Sequence, residues 1–108
     1  MDRYLIISSR DPFEVADTGY AYDLATRLTK AGHETTLFLV QNGVLAARKG
    51  PRSGAVAAVA TAGVKVLADD FSLRERGILP ARLEKGIEPA PIDAVIDALA
   101  EGRKVLWH

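Results

Sequence analysis

The chain has 108 residues, 48% of them hydrophobic, with fourteen Lys and Arg against fourteen Asp and Glu and no cysteine. That length accommodates one domain around one core, and the even charge balance provides no field that would gather nucleic acid or an anionic membrane. Without a thiol, the chain makes no disulfide, no thiolate zinc or iron–sulfur site and no cysteine nucleophile.

The opening stretch MDRYLIISSR has too short an apolar segment for a secretory signal, and no run approaches the roughly 20 residues of a membrane span. A soluble cytoplasmic protein is the expectation. Tyr4 to Ile7, with Ser8 and Ser9, form a nearly continuous apolar run of the kind seen in a strand covered on both faces. Turn residues follow in SSRDPFE, and Pro12 biases Asp11 away from helix. Asp17 is placed to cap a first helix whose buried stripe is Ala21, Leu24, Ala25 and Leu28, with Gly32 at its end.

ETTLFLV, residues 34–40, is rich in β-branched and aromatic residues and predicts a second strand, followed by a turn at QNG. Val44 to Lys49 predict a short helix stopped by GPRSG. AVAAVATA, residues 55–62, predicts a helix with almost no polar face, which points to burial on more than one side and to contact with another subunit. VKVLA, residues 64–68, is a third strand, and a short fourth strand is expected near KGIEPA. Pro91 suits the first position of a last helix with Ile92, Val95, Ile96 and Leu99 as its buried stripe, closed by Gly102 before a final strand in RKVLWH. Strands alternating with helices predict a three-layer α/β/α sandwich on a mostly parallel five-stranded sheet, in a single domain over residues 1–108.

In an open parallel sheet, ligands bind beyond the carboxyl ends of the strands, where loops and helix N-termini converge. Three stretches qualify: Ser9 to Asp17, Gln41 to Gly43, and Asp69 to Ser72. The candidate polar lining is Arg10, Asp11, Asn42, Gly43, Asp69, Asp70 and Arg74. For the adjacent aspartates a helix cap is the simpler role, with Ser72 and Glu75 fitting the S-x-x-E capping box, but two neighbouring caps are redundant and leave one carboxylate for function. A phosphoacceptor site needs an acidic pair after the first strand and a lysine at the carboxyl end of the last. Lys104 lies at the wrong end of its strand for that. No pattern of oxygen ligands for a divalent metal is evident, and no cofactor is implied. Arg48, Lys49 and Arg52 cluster before a helix start, where charge and backbone amides together could bind an anion, but the stretch lacks the spacing of a phosphate-binding loop, which favours a solvated helix end. His33 suits a cap or surface role, and Asp93, Asp97 and Glu101 fall on one outer helix face.

The stretches YLIISSRDPFE, LTKAGHETTLFLVQNGV, AGVKVLADDFSLRERGI and LAEGRKVLWH together resemble the DsrE/TusD-like, or DsrE/DsrF-like, family of small sulfur-relay proteins over nearly the whole chain. The third is the most specific, with a strand, a short helix and then Arg76-Gly77 followed by an aliphatic residue. The resemblance implies a five-stranded parallel sheet between helices and assembly into a homo-oligomer, trimer or hexamer, or into a related hetero-oligomer. It also implies a persulfide-carrying cysteine a few residues before the Arg-Gly pair. That position falls on Asp69, with Asp70 one residue on. A carboxylate suits a helix N-terminus but holds no transferable sulfur.

Two functions are therefore expected to compete. One is a cysteine-less, oligomeric binding, scaffold or regulatory protein related to sulfur relay. The other is a small-ligand binder or enzyme using the strand-end cleft.

Overall fold

The computed structural model describes residues 2–11 and 19–108. Five strands form one sheet in the order β4-β3-β2-β1-β5. They are β1 (Arg3–Ser8), β2 (Glu34–Leu39), β3 (Lys65–Asp69), β4 (Ile87–Ala90) and β5 (Lys104–Trp107), and every neighbouring pair is parallel. The helices are α1 (Gly19–Lys30), α2 (Gly54–Thr61), α3 (Asp70–Glu75) and α4 (Asp93–Ala100), so the expected α/β sandwich is the observed architecture. None of these helices is long and apolar enough to cross a membrane.

Strand alternation divides the core. Ile6, Leu37, Leu39, Val66 and Ala68 face one side, where they pack against Ala21, Tyr22 and Ala25 of α1, Val56 and Val59 of α2, and Leu73 of α3. Leu5, Ile7, Phe38, Val40 and Leu67 face the other side and meet α4 through Ala98, with Ala94 and Val95 partly buried beside it. Leu24 and Leu28, expected in the buried stripe of α1, are partly buried at the edge of the first cluster. Gly32 ends α1 and Gly102 ends α4, at φ of 96° and 78°, a conformation that an L side chain adopts only with strain.

Several sequence expectations shift. The QNG turn and the helix expected from Val44 are one element, a 3-10 helix over Gln41–Ala47, because the chain begins to coil as soon as it leaves β2. Within the single chain α2 buries only Val56 and Val59, and its alanines are half-buried or exposed. The largest correction concerns α4. Of the expected buried stripe only Val95 packs against the sheet, whereas Ile92, Ile96 and Leu99 do not, and the helix begins at Asp93 rather than Pro91. The small side of α4, Ala94 and Ala98, lets the helix lie close to the sheet. Ile92, Ile96 and Leu99 are left 48%, 62% and 59% exposed.

Candidate functional site

Parallel register places the ends of the strands at a common level. Ser8 of β1 aligns with Leu39 of β2, and Leu39 with Ala68 of β3. One step further along, Ser9, Val40 and Asp69 therefore stand in a row, with Ala90 registered beside Asp69. Ser9, Val40 and Asp69 open onto a cleft of about 420 Å³ lined further by Gln41, Asn42, Phe71, Ser72, Glu75, Arg76, Ile92 and Trp107.

Asp69 is the N-cap of α3 and is only 6% exposed. Its Oδ2 accepts the backbone N–H of Ser72 at 3.0 Å and the Ser72 hydroxyl at 2.7 Å. Oδ1 is buried and has no hydrogen-bond partner among the described residues. Ser72 lies inside α3 as its third residue, so the expected Ser72–Glu75 box is replaced by a cap from Asp69. The Ser72 hydroxyl also accepts the backbone N–H of Gln41 at 2.8 Å. Gln41 has φ of 50°, the left-handed region that costs a non-glycine residue about 1–2 kcal/mol, and this bond holds it there. The ends of β2 and β3 are thus tied through one hydroxyl.

Arg76 forms the rim. Its Nε and Nη2 donate to Asn42 Oδ1 at 3.1 and 2.9 Å, and its Nη1 donates to the Ser72 carbonyl at 3.2 Å. Phe71, Ile92 and Trp107, all exposed, form the apolar walls. The cleft is amphipathic: a buried carboxylate and an anchored guanidinium sit below two exposed aromatic rings.

Of the residues singled out from sequence, the structure brings Asn42 and Asp69 into this cleft. Asp70 lies one residue outside it, half-buried and 3.9 Å from the exposed Arg74 across one helical turn. Gly43 serves close packing, since a Cβ there would collide with the Ser8 carbonyl. Asp11 is buried near Tyr22, whose phenol is pushed up to about 12 first by burial and then by the Asp11 charge, while Arg10 is exposed. Asp17 and the rest of residues 12–18 lie outside the described residues. Sequence reading missed Ser72 as a tie, Arg76 and Trp107. Arg76 was visible only as half of an Arg-Gly pair, and its partner Asn42 is 34 residues away.

The other charged groups fall elsewhere. Lys104 bonds Asp2 at 3.0 Å at the amino end of the sheet, away from Asp69. His33 Nδ1 accepts the backbone N–H of Asp2 at 3.0 Å, and its ring meets Tyr4 edge-on. Glu101, expected on a solvated face, pairs with Arg3 and Arg103 at 3.1 and 3.2 Å. Among the described residues no three His, Asp or Glu side chains converge to hold a metal ion.

A model of the DsrE/DsrF-like family matches residues 2–108. Among solved structures, the ychN protein from E.coli superposes with a TM-score of 0.85 at 20% identity, covering 100% of both chains. A protein of unknown function from Methanobacterium thermoautotrophicum, MTH1491, gives 0.82 at 18% identity over 100% of both chains. BT1422 from Bacteroides thetaiotaomicron, a conserved protein of unknown function, gives 0.82 at 16% identity over 99% of this chain and 95% of the other. At these identities the three establish a shared fold. No curated protein matches the chain.

Proposed function

The chain belongs to the DsrE/DsrF-like family, a family related to sulfur relay, and from that premise and the missing thiol we propose that it is a non-catalytic, oligomeric binding or scaffold protein. The observation that carries this reading is Asp69. It stands at the helix N-terminus onto which the resemblance maps the family's thiol, and its carboxylate is committed to capping α3. A thiolate at such a position is stabilised by the helix amides and reacts with sulfane sulfur. A carboxylate uses the same amides but forms no persulfide, and no other residue of the chain supplies a thiol.

Oligomerisation is supported by the α4 side of the molecule. Ile92 at the N-cap of α4 and Ile96 and Leu99 within it lie exposed, and Trp107 on the edge strand β5 is 66% exposed. Four large apolar side chains in water form the kind of surface that marks an interaction site. Ile92 and Trp107 also line the cleft, so a second copy docked on this face would close it from one side. The assembly expected is a homo-oligomer, a trimer or hexamer, or a hetero-oligomer with a related chain.

The cleft itself supports a second reading, as a binding site for a small molecule. Its volume lies within the range of roughly 300–1,000 Å³ usual for such sites, and Asp69 Oδ1 has no donor among the described residues. Native mass spectrometry of the purified chain separates the two readings. A multimer without added mass supports the scaffold, a retained small molecule supports the binder, and a bare monomer contradicts the scaffold.

A further inference from the structure

A second recess lies away from the strand-end cleft and takes in Arg48 and Lys49 of the cationic cluster noted in the sequence. Residues 47–49, at the end of the 3-10 helix, run against residues 82–84 in the segment before β4. Arg48 forms an antiparallel bridge with Leu83. Lys49 N–H donates to the Arg82 carbonyl at 2.7 Å, and Glu84 N–H to the Ala47 carbonyl at 2.8 Å. This short zipper brings Arg82 beside Arg48 and Lys49, although it is 33 residues further along the chain than Lys49. Together with Gly77, Ile78 and Leu79 the three cations line a recess of about 440 Å³.

No acidic side chain belongs to that lining. The neighbouring carboxylate, Glu84, is taken up by the Ser53 hydroxyl and the Lys85 amide, with the Lys49 charge a lesser influence on it. Arg48 and Arg82 make no ion pair with the described residues. The last turn of α3 borders the recess, but its Leu73 and Arg74 carbonyls already accept the N–H groups of Arg76, Gly77 and Ile78. Backbone pairing gathers three exposed cations at one recess, and no carboxylate in its lining offsets their charge in a chain whose charges otherwise balance.

We infer that this recess binds a small polyanion carrying two or more negative charges on phosphate or carboxylate oxygens. Guanidinium forks match such oxyanions in a bidentate manner, and the lysine adds a point charge beside them. The site does not depend on the family reading, because none of its residues lies in the strand-end cleft.

The test is a titration of the ¹⁵N-labelled full chain with inorganic pyrophosphate and, separately, with citrate, at constant ionic strength. Saturable amide shifts confined to residues 48–50 and 77–83 are expected. Preference for pyrophosphate would assign a phosphate-bearing ligand, and preference for citrate a carboxylate-bearing one. Arg82→Gln should weaken binding about tenfold, with Arg82→Lys retaining part of it, and Lys65→Gln, outside the recess, leaving it unchanged. Should Arg82→Gln lose the dispersed spectrum of the folded chain, Arg48→Gln serves in its place. Shifts that never saturate, or an equal loss in Lys65→Gln, overturn the assignment.

Discussion

The Ser72 hydroxyl donates to Asp69 Oδ2 at 2.7 Å while the Ser72 backbone N–H donates to the same oxygen at 3.0 Å. One carboxylate oxygen thus both caps α3 and fixes the hydroxyl that receives the Gln41 amide from the end of β2. The cap and the tie between strands are a single network, buried at both residues.

Breaking it from either side should be costly and non-additive. Ser72→Ala leaves the Gln41 amide without its partner and takes one of two donors from Asp69 Oδ2, a loss of about 1–3 kcal/mol. Asp69→Ala removes the cap at about 1–2 kcal/mol. Urea denaturation of both single variants and the double variant checks this, with the double expected to lose less than the sum of the singles.

Gly43 should tolerate no side chain. A Cβ at this position would meet the backbone carbonyl of Ser8, which already accepts the Val40 amide at 3.0 Å and has no freedom to retreat. Gly43→Ala is expected to cost about 3 kcal/mol, read as a lowered denaturation midpoint with little change in slope.

Tyr22 introduces a dependence on alkaline pH. Its phenol is pushed up to about 12 by burial and by the Asp11 charge, against an ordinary value of 10. The folded state therefore holds a proton that the unfolded chain releases. Its stabilising effect is complete below pH 10 and is lost as pH rises from about 10 to about 12, by at most about 2–3 kcal/mol. Tyr22→Phe, which also deletes a buried hydroxyl without a partner among the described residues, should flatten that decline when stability is measured across this range.

The exposed face of α4 should govern assembly and not folding. Ile96→Glu places a charge on a side chain that touches water in the single chain, so circular dichroism should be unchanged. Native mass spectrometry should show the multimer falling to monomer. An unchanged multimer would remove this face as the contact.

The sheet was legible because its strands are continuous apolar runs such as LIIS and TLFLV, which only a sheet covered on both faces accommodates. Asp69 was legible for a related reason: a polar residue ending an apolar run before a helix has few roles other than a cap. The docking side of α4 was hidden because periodicity ranks residues by hydrophobicity, whereas close packing selected Ala94 and Ala98 over Ile96 and Leu99. Arg76 with Asn42, and Arg82 with Arg48, were hidden because each pair forms across distant segments, and sequence spacing carries no trace of such meetings.

The most direct measurement exposes the purified chain and its Asp69→Cys variant to inorganic polysulfide, removes the excess and weighs the intact proteins. The native chain should emerge with no added sulfur. The variant, with a thiolate favoured by the amides of α3, should gain a persulfide that reductant releases. Stable, transferable sulfur on the native chain would contradict the account at its root.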